Sequence, residues 1–232
     1  MSDLFSVLCR LLALAACLTP TAALADGDWS PAGFGDDEKS LKNLIVFPEL
    51  RGDASATISC LGVLKSRGKF DEHGCLQGAP GDTTFITAIY DVIKKARFKP
   101  ATYNGRGVNV VFQYRVHFEQ KGEERSITFM PNPGLGENVD AYGLEHTAAQ
   151  RLMGKERWQK SCPQQNKFIV LARANVNWEG TPSAVSISHM GGLQITQKCE
   201  QALIQAVLDS RFIPAFADGE PVPSTFAEPF GS

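Results

Sequence analysis

Cys60, Cys75, Cys162 and Cys199 are the side chains of this sequence best placed to do chemistry. An even set of four thiols suits either disulfide bonding in an oxidising compartment or metal ligation. Zinc needs about four ligands at recurring spacings, and the sequence has neither Cys-x-x-Cys nor His-x-x-x-His. His73-Gly74-Cys75 comes nearest to a ligand pair; we read Cys75 as disulfide-bonded and His73 as facing water. Free thiols buried as small apolar groups are the alternative. Ser66-Arg67-Gly68-Lys69 has the S-x-x-K form of an acylating serine, but it straddles a turn, and neither S-D-N nor K-T-G follows. Gly143-Leu144-Glu145-His146 is half of a zinc helix, with Tyr142 where the second histidine belongs. Arg97 and Arg211 are candidate anion ligands or helix-end groups. No glycine-rich phosphate loop occurs. No catalytic, cofactor or metal site is therefore expected. A cell-wall enzyme with a scattered site is the rival class, with no nucleophile–base pair behind it.

The elements that hold these residues are written twice. RFKPATYNGRGV at 97–108 returns as RFIPAFADGEPV at 211–222, 114 residues on. Before the first copy, Phe85, Ile86, Ile89, Val92, Ile93 and Ala96 follow helical spacing, with Asp82, Thr83 and Thr84 as capping candidates. Before the second, Ile195, Cys199, Ala202, Leu203, Ala206 and Val207 do the same, with Thr196 at the start. Each helix must stop at Arg-Phe-x-Pro, because a proline pushes the residue before it out of helical geometry. Asn104-Gly105 and Asp218-Gly219 then turn the chain. Val108, Val110, Phe112, Tyr114, Val116 and Phe118 alternate with polar residues, which predicts a half-buried strand over 108–118. In the second copy Pro221, Pro223 and Pro229 predict an edge or irregular strand.

A hairpin precedes each helix. A two-residue turn at Arg67-Gly68 pairs Ser66 with Lys69, and counting outward sets Cys60 opposite Cys75, within disulfide reach. Glu179-Gly180 turns the second hairpin, whose apolar face is Phe168, Val170, Ala172, Ala174, Val176 and Trp178. Cys162 before this hairpin and Cys199 on the helical stripe form the second expected pair. The fold class is α+β: two tandem ββαβ modules, each a three-stranded antiparallel sheet on one helix. Small modules of this size are marginal without staples. The expected boundaries are a flexible segment at 26–44, a first module at 45–131 with an extra strand at Glu124–Met130, and a linker at 132–165. The linker carries a helix over 141–160, and the second module spans 166–232.

Arg10, the apolar run LLALAACL and the Ala-Leu-Ala before Asp26 form a signal-peptide pattern, with cleavage expected after Ala25. A lipoprotein box ending at Cys17 is the alternative. The chain has 23 basic and 25 acidic residues, a net charge of −2, and no basic block. Nucleic acid is not an expected partner on that ground. An exported, periplasmic protein is expected.

The carrying residues Arg97, Phe98, Pro100, Ala101, Gly105 and Val108, with Gly68, recur as Arg211, Phe212, Pro214, Ala215, Gly219 and Val222, with Gly180. A Gly-turn hairpin, a helix ending in R-F-x-P-A, a Gly turn and a strand resemble the carboxy-terminal domain of TonB, the envelope energy transducer. The resemblance covers residues 45–119 and 166–230. It implies a non-catalytic periplasmic module that docks on outer-membrane receptors and accepts a receptor segment as an added strand. The departures are two copies, no proline-rich spacer and no retained anchor, so an adaptor is expected rather than a transducer. Its partners would be envelope proteins, an outer-membrane receptor or transport complex among them. The strand carrying Val108, Val110, Phe112, Tyr114 and Val116 is the expected acceptor. Pairing of the two modules with each other, and a scaffolding role, are the alternatives.

Overall fold

The computed structural model describes residues 28–76, 78–79, 81–155 and 157–231. The cleavage site after Ala25 and the Cys17 box lie outside these residues. The architecture is mixed α+β. β1 (Trp29–Ser30) and α1 (Leu41–Leu44) come first. The first repeat is β2 (Ala54–Leu64), β3 (Phe70–Leu76), α2 (Asp82–Ile93), β4 (Ala101–Tyr103), β5 (Arg106–Val108) and β6 (Val110–Lys121). β7 (Glu124–Met130), α3 (Gly136–Tyr142) and β8 (Gln150–Arg151) connect it to the second. The second repeat is β9 (Phe168–Val176), β10 (Pro182–Gly192), α4 (Gln197–Leu208), β11 (Phe212–Ile213), β12 (Ala215–Ala217), β13 (Glu220–Val222) and β14 (Ser224–Gly231).

The two main antiparallel sheets, those built on the hairpins, run β3-β2-β6-β7 and β10-β9-β14; β1-β4-β5, β11-β8 and β12-β13 form smaller ones. The registers of the two main sheets match. Leu64 pairs with Phe70 on one side and Val110 on the other; Val176 pairs with Pro182 and Ser224. Ala101 pairs with Val108 as Ala215 pairs with Val222. The turn residues Asn104 and Gly105 have φ of 49° and 70°, and Asp218 and Gly219 have 51° and 85°, which is the mirror-type turn that suits a two-residue hairpin. One helical stripe of each repeat is buried, Phe85, Ile89 and Ile93 in α2 and Cys199, Leu203 and Val207 in α4.

Both disulfides form, Cys60–Cys75 and Cys162–Cys199. Cys60 does stand opposite Cys75, but the two-residue turn is corrected. Lys65 N bonds Lys69 O, and Gly68 N bonds Lys65 O, so the loop has three residues, Ser66 to Gly68. A bulge between Gly62 and Leu64 then adds a residue to β3 and restores the register. The second hairpin repeats both features. Asn177 N bonds Thr181 O, and the register shifts between Ser183 and Ser186.

The repeated phrase has a mechanical role. Phe98 N donates to Gly68 O at 2.9 Å, and Phe212 N donates to Gly180 O at 3.2 Å. Each Arg-Phe-x-Pro segment is thus stitched to the hairpin turn of its own repeat. A Cβ on Gly68 would lie 2.1 Å from Phe98 O, and one on Gly180 2.0 Å from Phe212 O. Phe98 and Phe212 are buried at the joint, as Ala101 and Ala215 are beside it.

Three further expectations are corrected. The described part of 26–44 is not a loose tail: Ala32, Phe34 and Leu41 are buried, and Trp29-Ser30 pairs with Tyr103 and Thr102. Phe34 packs edge-on against Phe112, Tyr114 and Phe129. No helix spans 141–160. α3 ends at Gly143, whose φ is 78°, and residues 147–152 run extended. Thr147 bridges Phe216, Gln150 pairs with Ile213, Arg151 with Phe212, and Leu152 bridges Val110. Tertiary pairing overrides the helix propensity of this run. The predicted strand over 108–118 is two strands, because Val108 pairs with Ala101 while Asn109 leaves the ladder to accept from Ser66 N and Met153 N. The extra strand expected at Glu124–Met130 is present as β7, the fourth strand of the first sheet.

The two corrected segments are counterparts. Gly33 bridges Lys99 in one repeat where Gln150 pairs with Ile213 in the other, a strap laid along the same motif position. The repeats also share interior: Ile213, where the first copy has the exposed Lys99, is buried in the first core with Leu152 and Phe216 against it.

Candidate functional site

The expected acceptor strand is not an edge. β6 pairs with β2 along its whole length and with β7 from Arg115 to Lys121. Leu152 bridges Val110, and Gln113 Nε2 reaches Ala227 O. Val110, Phe112, Tyr114 and Val116 are all fully buried, and Val108 lies on β5. Sequence alternation found the buried face but could not count the neighbours on each side.

The free edges belong to the outer hairpin strands β3 and β10 and to β7. They differ chemically. β7 carries Glu124 and Arg125. β3 carries Asp71 and Glu72, and Tyr90 of α2 accepts from Cys75 N at 3.0 Å, which caps one outward backbone group. Charged side chains and such covers are the usual protection of an exposed edge. β10, PSAVSISHMGG, has eleven residues and no Asp, Glu, Lys or Arg. The helix position that matches Tyr90 is Ile204, and Ile187 matches Cys75. Isoleucine cannot cap an N–H.

The outward groups of β10 follow from the ladder. Asn177 N bonds Thr181 O, and bonded and non-bonded pairs alternate from there. Ala172 with Ile187 and Val170 with His189 are then non-bonded pairs. Ile187 and His189 turn their N–H and C=O groups away from β9, toward the open side. Val185 and Ile187 keep their side chains against the second core. Exposed Met190 stands at the far end of the strand and Leu193 just beyond it, with exposed Ile169 of β9 opposite Gly191.

The other third-strand edge is taken up internally. Asn138 of α3 exchanges two hydrogen bonds with Thr225 of β14, and Tyr142 donates to Pro223 O. Arg151 makes a two-point ion pair with Glu228, Nε to Oε2 and Nη2 to Oε1, both 2.7 Å, and its guanidinium lies over the Phe230 ring at 5.4 Å. Both partners are almost fully buried.

The motif residues are structural in this setting. Phe98 and Phe212 fill the cores, Pro214 is buried, and Gly105 and Gly219 sit in turns. Arg97 bonds the backbone of Lys39 and Ala96. Arg211 is exposed on a cleft of about 400 Å³ with Lys155, Arg157 and Asp209.

One polar cluster lies within the first core. His73 does not face water. It shares the face of Cys75 two residues on, as strand alternation requires. Its Nε2 is 2.7 Å from Tyr114 Oη and 3.9 Å from Cys75 Sγ, while its buried Nδ1 has no hydrogen-bond partner among the described residues. Burial lowers the His73 pKa to about 4. Burial, followed by the charge of Tyr90, pushes the Tyr114 phenol well above its ordinary value.

Comparison with protein-family models, curated proteins and solved structures finds no match. No helix among the described residues is long and apolar enough to cross a membrane. Two disulfides fit an oxidising, extracytoplasmic compartment.

Proposed function

We propose that this chain is a non-catalytic, two-module adaptor of the periplasm that binds an extended segment of an envelope protein as an added strand on β10. The supporting observation is the β10 edge: long, free of charge, uncapped at Ile187 and bordered by exposed Met190 and Leu193. An incoming strand gains backbone hydrogen bonds there, each worth about 0.5–1.5 kcal/mol net. The resemblance of the repeated R-F-x-P-A modules to TonB carboxy-terminal domains supports an outer-membrane receptor or transport complex as the partner. A scaffold with every edge covered is the competing proposal.

A photoreactive residue at Ser188 on β10, with Ser126 on β7 as the control edge, tests this in intact cells. The adaptor gives a discrete crosslinked envelope protein from Ser188 and none from Ser126. A synthetic peptide of the captured segment then slows hydrogen exchange at Ile187. Absence of any Ser188 product, or equal capture from both edges, would sink strand addition on β10.

A further inference from the structure

We propose that the Cys60–Cys75 pair, once reduced, joins His73 to hold one Cu(I) ion, so that this disulfide covers a soft-metal site. The ligand atoms of Cys60, His73 and Cys75 lie within 4.8 Å of one another. They come from two neighbouring strands and point to one face. Cys60 pairs with Cys75, and His73 stands opposite Gly62. A side chain at 62 would meet Glu72 O at 2.2 Å, the Phe70 ring at 2.8 Å and His73 Cα at 3.0 Å, so only glycine fits opposite His73.

The histidine is otherwise hard to explain. A buried ring normally has both nitrogens paired; among the described residues Nδ1 of His73 has no partner, and Nε2, the nitrogen 3.9 Å from Cys75 Sγ, rests on a single phenol. Two thiolates and one imidazole are a set that monovalent copper favours, being soft and satisfied by few ligands. This is the one group of its kind among the described residues. The other disulfide, buried between Cys162 and Cys199, has no histidine beside it and is the internal control.

A protein dithiol delivers two electrons and two protons to the disulfide, breaking the S–S bond and becoming a disulfide itself. Two thiols remain. Cu(I) displaces both thiol protons to solvent, forms two Cu–S bonds, and accepts the imidazole lone pair. In an oxidising compartment the closed state is the default. Half-buried Cys75 on the edge strand β3, beneath partly exposed Tyr90, is the sulfur that an incoming thiolate reaches. The site does not depend on the adaptor role, and either can fail alone.

The test uses the exported chain, reduced with dithiothreitol, freed of it anaerobically, and titrated with Cu(I) against the chelator bicinchoninate. The reduced protein takes one Cu(I) with a thiolate-to-copper absorption band; the oxidised protein takes none. His73→Ala weakens uptake at least about tenfold, and Cys162→Ser/Cys199→Ser keeps it. Cys60→Ser/Cys75→Ser takes none; where that variant does not fold, His73→Ala, which keeps all four cysteines and folds with both disulfides before reduction, decides the matter. No uptake by the reduced wild type, equal affinity in His73→Ala, or uptake of Zn(II) in place of Cu(I) would overturn the assignment.

Discussion

Gln113 and Ala227 are equivalent residues of the two repeats, 114 positions apart, and they touch: Gln113 Nε2 donates to Ala227 O at 2.7 Å. Contact between equivalent points is what a two-fold-like arrangement of the repeats requires. It places the stretch of β6 ahead of Arg115, where its pairing with β7 begins, against β14, so the third strand of neither repeat is left open on that side. The edges left over are those of the hairpins, and there the repeats have diverged. One edge is charged and capped by Tyr90; the other is neutral and has Ile204 at the position that matches Tyr90.

The stitch between each turn glycine and its Arg-Phe-x-Pro segment predicts unequal costs for glycine substitutions. Gly68→Ala and Gly180→Ala combine a positive φ with a backbone clash near 2 Å. Each should lose about 2–4 kcal/mol of stability. Gly105→Ala also has a positive φ but open space around it, and should lose about 1–2 kcal/mol. Urea midpoints at constant slope give the comparison. Similar losses at all three positions would show that the stitch is not what fixes Gly68 and Gly180.

The straps predict a rescue. Phe34 meets Tyr114 edge-on in the first repeat; the matching positions of the second are Arg151 and Glu228. One repeat thus buries an aromatic pair where the other buries an ion pair. Glu228→Gln or Arg151→Met leaves a buried charge behind and should cost about 3–5 kcal/mol. Arg151→Phe/Glu228→Tyr, which copies the first repeat, should return to within about 1–2 kcal/mol of wild type. A double mutant no more stable than the singles would refute the equivalence of the straps.

Much of this was legible in the sequence because it is local. The buried helix stripes, the stop at Arg-Phe-x-Pro and the Asn104-Gly105 and Asp218-Gly219 turns follow from neighbours within a few residues. The Cys60–Cys75 pairing came out right through two compensating features, a three-residue loop and a bulge. The straps were not legible. Residues 29–34 and 147–152 carry no strand alternation, because their partners are distant and their ladder bonds are few. The open edge was invisible for the same kind of reason: a strand's pattern records its faces, not which of its sides is covered.

His73 makes stability depend on pH. Its folded pKa is lowered to about 4 by burial, below the ordinary value of 6.5. The unfolded chain therefore binds the proton first as the pH falls. Stability is full above about pH 6.5 and declines toward pH 4, by an amount on the order of 3 kcal/mol. His73→Gln should flatten the curve between pH 4 and 6.5 relative to wild type while the carboxylate-driven loss below remains. Parallel wild-type and variant curves across that window would mean that His73 is protonated in the folded state.

The junction between repeats makes the last prediction. Gln150 uses both ends of its side-chain amide on one buried residue: Oε1 accepts from Ala32 N and Nε2 donates to Ala32 O, each at 2.9 Å. A side chain of the second strap thus completes the backbone bonding of the first. Gln150→Leu keeps apolar contact but leaves two buried backbone groups unpaired, at a cost of about 1–3 kcal/mol for each group. The loss should be local before it is global. Hydrogen exchange at Ala32 should quicken by orders of magnitude, while Ile58 and Val170 at the centres of the two sheets keep the exchange rates set by global unfolding. Uniform acceleration at all three sites would instead mean that the strap and both cores open as one unit.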